Sequence, residues 1–367
     1  MTIKVKEMTS QHENDYEAFL NEHENSMLYY SLSYRKFLLK TLKNTESKYL
    51  LAFNNNKIVA VFALIIKHLK SKKTIINALP FYGSHGGVII NKNFSHKSQE
   101  IMNNFFFKLS DLIKKYNTIS LTIITPPLKN SDQEIVSQHY SNYFGQKPAD
   151  HRINQMTNIS VESGLDVEKV LMSRFHSKTR NMVRKALKAE FYINHDEQLS
   201  SFEELCQLHH KNMKIIGGKA KSMRVFKNIY ETFSPNKDYR IYRASMNGKT
   251  AAMMLIFYYK NCCEYYTPVI HQTFRLQQPL TAIIFNAMCD ASKRNYSLWN
   301  WGGTWESQES VHFFKKRWGA KDILYYYYNI IFDKKYLSKN INHIIKEADN
   351  FYVLPYSKIE DLANECF

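Results

Sequence analysis

The feature that most constrains the fold is a strand, turn and strand pattern that occurs twice. Residues 49–66 and residues 239–259 each contain two apolar segments separated by a short polar turn. The second segment follows Lys57 in the first copy and Lys249 in the second, and these two lysines are 192 residues apart. Because that offset is about half of the chain, the pattern indicates two copies of one module and not a short-period repeat.

The turn residues of the two copies predict β-hairpins. Asn247 and Gly248 supply the positive φ angles that a two-residue hairpin turn requires, and Asn55 and Asn56 give a weaker signal of the same kind. The alternative that two unrelated hairpins simply look alike is open. A helical pattern before each hairpin, at 15–42 and at 202–232, favours duplication.

Length and periodicity together predict the domain organisation. At 367 residues the chain is long enough for two domains. We predict a mixed α/β protein with two tandem domains, residues 1–150 and residues 151–367, each a mixed, twisted sheet flanked by helices. Further helices are predicted at 167–189 and at 279–295, the latter leading into a strand at 298–301.

Composition restricts the class of protein. The apolar segments 58–66 and 251–259 are far shorter than a membrane span and predict buried strands. Residues 1–19 lack the apolar core of a secretory signal, which predicts a cytoplasmic location, either free or at the inner face of the membrane. Adjacent Cys262 and Cys263 do not have the spacing of zinc ligands, so no metal is predicted.

A net charge of +17 predicts a surface that attracts phosphates, acidic lipids or nucleic acid. Peripheral membrane contact is one such expectation. A lysine-rich composition of the genome explains the same charge equally well. The charge therefore narrows the class of partner without identifying one.

The tryptophans point to a functional segment. All four lie in one short interval: Trp299, Trp301, Trp305 and Trp318. A predicted strand runs into Gly302 and Gly303, where the missing side chains let a ligand or a second chain segment approach the backbone. We predict that Trp301, Gly302, Gly303 and Trp305 line a substrate cleft. The alternative is aromatic core packing at the end of a strand.

The segment that follows carries three consecutive cations between aromatic residues: Val311-His-Phe-Phe-Lys-Lys-Arg-Trp-Gly-Ala. With the preceding glycines it resembles the signature of GNAT-like N-acyltransferases related to the Fem aminoacyltransferases. The resemblance implies that Lys315 lies at the active site, where a cation stabilises the oxyanion formed when an amine attacks a thioester or ester. Two residues are candidates for a general base, Glu306 and His85.

A second segment resembles the same family: Phe175-His-Ser-Lys-Thr-Arg-Asn-Met-Val-Arg-Lys-Ala. On a helix, Arg180 and Arg184 are four residues apart and share one face, so we expect them, with Lys178, to bind a phosphate of a substrate. The alternative is a solvated basic face over a buried apolar one.

A third segment, Leu79-Pro-Phe-Tyr-Gly-Ser-His-Gly-Gly-Val, resembles the glycine-containing strand and loop of the family's first domain. Its glycines allow a tight bend, and Tyr82 offers a hydrogen bond to an acceptor substrate.

The family's donor site is expected where a loop leads into a helix whose free backbone amides bind the pyrophosphate of acyl-CoA. The matching segment is 271–281, with Arg275, Gln277, Gln278 and Thr281 as the predicted donor-binding residues. The glycines typical of that loop are absent.

The combined prediction is an N-acyltransferase that moves an acyl group from a thioester, acyl-CoA, to the amino group of an amino sugar or of a cell-surface polysaccharide precursor. Two alternatives are open. The first is a Fem-like enzyme that uses aminoacyl-tRNA and a peptidoglycan precursor, although the chain shows no charged helical insertion between residues 190 and 245. The second is a basic protein that binds nucleic acid or a membrane surface.

Overall fold

The computed structural model describes residues 2–24, 26–81, 83, 85–128 and 130–355. The chain divides into two compact units, unit 1 with residues 1–152 and 323–367, and unit 2 with residues 153–322. Each unit has its own set of strands and its own hydrophobic core.

The strands of the described residues are β1 (Ile3–Glu7), β2 (Thr45–Asn54), β3 (Lys57–His68), β4 (Thr74–Ala78), β5 (Ile89–Ile90), β6 (Thr118–Ile124), β7 (Asp150–Asn158), β8 (Tyr192–His195), β9 (Tyr239–Met246), β10 (Lys249–Tyr259), β11 (Cys262–Ile270), β12 (Leu298–Thr304) and β13 (Lys321–Ile331). The helices are α1 (Glu13–Glu22), α2 (Leu32–Thr41), α3 (Ser98–Lys115), α4 (Asn130–Phe144), α5 (Val167–Arg174), α6 (Ser177–Lys188), α7 (Leu199–Ile215), α8 (Met223–Thr232), α9 (Pro279–Lys293), α10 (Glu309–Lys316) and α11 (Lys334–Glu347).

The strands of the two units are arranged in the same order of parallel and antiparallel pairs. In unit 1 the order is β1-β2-β3-β4-β6-β13, with β4 and β6 parallel and the other neighbours antiparallel, while the short β5 pairs with β3. In unit 2 the order is β8-β9-β10-β11-β12-β7, and the parallel pair is β11 and β12. Helix α3 connects the parallel pair of unit 1, and α9 connects that of unit 2. The tandem α/β fold is therefore confirmed.

The predicted division of the chain, at residues 150 and 151, differs from the two units in the placement of the C-terminal segment. Within the described part of the chain, residues 323–355 belong with unit 1. The physical reason is that β13 pairs with β6 from Tyr327↔Ile124 to Ile331↔Ser120, and α11 buries Leu337 and Ile344 in a cluster with residues of unit 1.

Both predicted hairpins are confirmed. Strands β2 and β3 pair around a turn in which Asn55 has φ 56°, and β9 and β10 pair around Asn247 and Gly248, with φ 50° and 71°. Asparagine and glycine tolerate this left-handed conformation better than other residues do.

Three predicted helical segments are each split into two helices. The segment 167–189 breaks at Phe175 and His176, both of which have extended backbone, and His176 caps α6 by accepting a hydrogen bond from the Lys178 N–H. Likewise Ser31 caps α2, and α8 follows an extended Ser222. Apolar periodicity continues across such breaks, so it did not reveal them. No helix in the described part of the chain is long and apolar enough to cross a bilayer.

Apolar residues of the connecting helices fill each core. In unit 1, α3 packs on the sheet with residues that include Phe105, Phe106, Leu109, Phe62 and Leu121. In unit 2, α9 does so with residues that include Ile283, Ile284, Met288, Tyr242 and Trp299. Each helix therefore fixes its parallel strand pair.

The glycine loop of unit 1 gives a test of this packing. A Cβ added at Gly86 would lie 2.3 Å from the Ala78 carbonyl oxygen, a backbone atom that cannot move aside. We expect Gly86→Ala to lower the free energy of unfolding by about 3 kcal/mol or more. The control is Gly145→Ala, where φ is 64° but nothing lies within 4 Å, and backbone strain alone costs about 1 kcal/mol. Urea unfolding measures both, and equal losses would contradict the predicted clash.

Candidate functional site

The parallel strands of unit 2 separate at one end. Strands β11 and β12 pair from Cys262↔Leu298 to Glu264↔Asn300, and then β11 continues to Ile270 and β12 to Thr304 without further pairing to each other. Since strand edges carry backbone donors and acceptors, such an opening offers hydrogen bonds to a bound substrate. We call the part of β11 beyond the separation, residues 265–270, the open half of β11.

A buried polar pair lies where the strands separate. Asn300 donates from Nδ2 to Glu264 Oε2 at 2.8 Å, and the two residues are 0% and 2% exposed. Asn300 Oδ1 also accepts from the Gly302 N–H at 3.0 Å. This pair was not predicted from the sequence. The available signal was a single charged residue inside the otherwise uncharged β11, because a buried carboxylate needs partners.

Lys315 holds the end of β12. Its ammonium lies 2.7 Å from Thr304 Oγ1, 3.0 Å from the Gly302 carbonyl and 3.5 Å from the Gly303 carbonyl. An ammonium has three N–H donors, so these acceptors match its capacity. The pairing of β12 with β7 shifts register between Asn300 and Gly303, and the lysine stabilises this irregular backbone. Its role in stabilising an oxyanion stays a prediction. In that role the ammonium would have to give up one of these three hydrogen bonds and donate to the oxyanion instead.

The aromatic residues join the two motif segments. The Trp301 indole donates to Thr157 Oγ1 at 2.9 Å, and that hydroxyl donates to the Trp318 carbonyl at 3.2 Å. The rings of Phe175 and Trp318 meet at 5.0 Å, and the His176 N–H donates to the Arg317 carbonyl at 2.9 Å. The segments 175–186 and 311–320 are therefore neighbours in unit 2.

The predicted cleft residues lie in two environments. Trp301 is 3% exposed and packs in the core of unit 2, as the alternative interpretation of the tryptophans expected. Gly302, Gly303 and Trp305 are half-buried, and Glu306 is exposed on the turn before α10. Only the latter group lies where a substrate can reach it.

The basic residues of α6 lie partly in solvent. Lys178 and Arg184 are exposed, whereas Arg180 is half-buried and donates from Nη1 to the Phe175 carbonyl at 2.6 Å. Arg184 donates to Asn181 Oδ1 at 3.0 Å. The guanidinium of Arg180 thus supports the bend before α6, and Lys178 and Arg184 remain the better placed of the three for a phosphate.

The N-terminus of α9 has features of an anion site. Gln278 has φ 64°, the left-handed conformation that a glycine would otherwise supply, and Pro279 is the first helical residue. The capping residue is Gln278, and its side chain accepts no hydrogen bond from the amides of the first turn. Its Oε1 accepts instead from Thr281 Oγ1 at 3.2 Å. Such amides bind phosphate. The exposed Arg275 precedes this turn, so these residues fit the pyrophosphate of CoA. Gln277 is half-buried at the end of the same turn.

Two of the predicted site residues, His85 and Tyr82, belong to unit 1. His85 is 1% exposed, and its ring contacts those of Tyr29 and Tyr325 at 5.5 Å and 4.5 Å. Burial lowers the pKa of His85 to about 4, so the ring is neutral at pH 7 and has little affinity for a proton. This geometry gives His85 a packing role. Tyr82 lies outside the described residues.

One protein family and several solved structures are similar to this chain. The GNAT acetyltransferase domain family matches residues 173–313, and no curated protein sequence matches the chain. The crystal structure of FemX is similar over 92% of this chain and 99% of that chain, with a TM-score of 0.72 and 14% identity.

Two further structures share the fold. A tandem GNAT protein from the clavulanic acid biosynthesis pathway is similar over 90% of this chain and 98% of that chain, with a TM-score of 0.56 and 7% identity. The C-terminal domain of a putative lysylphosphatidylglycerol synthetase from Agrobacterium fabrum is similar over 92% and 97%, with a TM-score of 0.53 and 7% identity. Residues 173–313 thus match the GNAT acetyltransferase domain family, and over most of its length the chain has a fold similar to those of FemX and of a tandem GNAT protein.

Proposed function

We propose that this protein is an N-acyltransferase that moves an acyl group from acyl-CoA to the amino group of an amino sugar or of a cell-surface polysaccharide precursor. The proposal rests on two observations: the separation of β11 and β12, and the N-terminus of α9, which follows β11 in the chain and which the side chain of its capping residue does not cap. The first offers backbone hydrogen bonds to the thioester arm, and the second offers amides to its pyrophosphate.

The reaction needs juxtaposition more than covalent participation by the protein. The acceptor amine attacks the thioester carbonyl, a C–N bond forms, the C–S bond breaks, and CoA leaves as a thiol after gaining a proton. Holding the two substrates in place lowers the barrier by several kcal/mol, of the order of 7. We assign Gly302, Gly303 and Trp305 to the wall of the acceptor site.

The acceptor is proposed to carry phosphate. Lys178 and Arg184 are exposed on α6, and the net charge of +17 favours anionic substrates over neutral ones. Arginine binds phosphate through two parallel N–H groups. A phosphorylated amino sugar provides both the nucleophilic amine and the anion.

A Fem-like aminoacyltransferase is the second candidate, because the likeness to FemX extends over nearly all of both chains. The residues between α7 and α8 form the short connection 216–222. Because the similarity covers 99% of the FemX chain, the length of this connection does not separate the two candidates, whereas a donor-binding experiment does.

The donor site is tested by reversing one charge. We expect Arg275→Glu to weaken acetyl-CoA binding about tenfold, because a carboxylate beside the α9 N-terminus repels the pyrophosphate. The control, Lys293→Glu, makes the same charge change in the last turn of the same helix and should leave the affinity within about twofold. Isothermal titration calorimetry measures both. Equal affinities for the two variants would contradict this donor site, and binding of charged tRNA without acetyl-CoA would favour the second candidate.

The contribution of Lys315 to turnover is tested by an alanine substitution, with the adjacent Lys316 as the control. We expect Lys315→Ala to lower turnover of acetyl-CoA with glucosamine phosphates about a hundredfold, because the backbone of β12 loses its support. Lys316 is exposed and pairs with Asp322 at 2.8 Å, so Lys316→Ala should leave turnover nearly unchanged.

Lys315 could support the backbone of β12 or stabilise the oxyanion, and hydrogen exchange without substrate distinguishes these two roles. If the lysine positions β12, hydrogen exchange at Gly302 and Gly303 should accelerate in Lys315→Ala before any substrate is added. Unchanged exchange with reduced turnover would instead assign the lysine to the oxyanion. A folded variant with normal turnover would remove both roles.

A further inference from the structure

The connection between α7 and α8 places a lysine against the open half of β11. The backbone of Lys221 is held on both sides by adjacent histidines of α7. Its N–H donates to His209 Nε2 at 3.0 Å, and its carbonyl accepts from His210 Nε2 at 2.9 Å. Because both contacts fix the main chain, the position of this residue does not depend on its own side chain.

The side chain of Lys221 points at the strand. Its Nζ lies 3.5 Å from Thr267 Oγ1 and 4.9 Å from the centre of the Tyr266 ring. Thr267 is 1% exposed, and both contacted residues belong to the open half of β11. The amine is therefore next to the backbone to which we assign the thioester arm.

Burial changes the protonation of this amine. Removal from water lowers the pKa of Lys221 to about 8. The titratable groups in contact with the residue include His209 and His210 from α7 and Tyr266 from β11. Burial, and then the charges of Lys221 and His210, lower the pKa of His209 to about 4, so that ring is neutral and its Nε2 accepts a hydrogen bond.

An amine in this state suits proton transfer. With a pKa of about 8, the amine of Lys221 loses its proton much closer to neutral pH than an ordinary lysine does. Enzymes tune lysine bases into this range by burial. The neighbouring histidines are engaged by the backbone of Lys221 and do not offer the same chemistry.

We propose that Lys221 is the general base of the acyl transfer, an inference that rests on the proposed function. As the acceptor nitrogen forms its bond to the thioester carbon, it becomes an ammonium, and the free amine of Lys221 takes one of its protons. The C–S bond then breaks, and the lysine returns the proton to the departing thiolate. The enzyme ends in its starting protonation state.

The first test does not depend on turnover. Trace labelling of the purified full-length protein with acetic anhydride, read by peptide mass spectrometry across pH 6 to 11, reports the titration of each amine. We expect half-maximal labelling of Lys221 near pH 8, about two pH units below the midpoint of an unperturbed lysine in a model peptide labelled under the same conditions. Labelling of Lys221 with the same midpoint as the model peptide would overturn the proposal.

The second test is the pH profile of kcat/KM with acetyl-CoA and glucosamine phosphates. The wild-type profile should be half-maximal near pH 8 and should level off about one pH unit higher, because the base must be deprotonated. Lys221→Met should lose that limb and about a hundredfold in rate while binding acetyl-CoA normally. Lys214→Met is the matched control and should retain the wild-type profile.

The outcomes separate the inference from the proposed function. Normal turnover and pH profile in Lys221→Met would overturn the general base and leave the acyltransferase intact. A wild-type protein that neither binds acetyl-CoA nor transfers its acyl group would overturn the proposed function and this inference with it. Loss of rate in Lys221→Arg, which keeps a cation but not a base, would support proton transfer over simple charge.

Discussion

Three hydrogen bonds from one ammonium group shape the end of β12. Lys315 reaches from α10 to the Gly302 and Gly303 carbonyls and to Thr304 Oγ1, and it is 6% exposed. A charge removed from water to this degree requires partners on every donor, so the strand and the lysine stabilise each other. The opening between β11 and β12, the aromatic packing behind it and the turn that carries Trp305 all depend on this backbone.

The duplicated fold supports two unlike halves. Both units place a parallel strand pair around a connecting helix, α3 or α9. In unit 2 the loop before that helix has a left-handed Gln278 and an exposed Arg275. In unit 1 the glycine loop packs His85 between two tyrosines and leaves it neutral. Function therefore has to be argued from each site and not from the shared fold.

Much of the fold was readable from local patterns. Asn247 and Gly248 predicted a hairpin, because few other residues adopt the positive φ angles of its turn. The pairing of β13 with β6 of unit 1 could not be predicted, since apolar alternation identifies a strand but not its partner. The site was less predictable. Composition could not reveal that the donors of Lys315 are already engaged, or that the fold brings Lys221 to β11, because both follow from long-range contacts.

The proposed function depends on the binding of acyl-CoA by the open half of β11 and the N-terminus of α9. Hydrogen–deuterium exchange with and without desulfo-CoA tests it most directly, because bound ligand protects the amides that it contacts. We expect protection within residues 265–270 and at Leu280 and Thr281, with little change in unit 1. Binding without protection in these segments, or protection confined to the segment before α3, would contradict it.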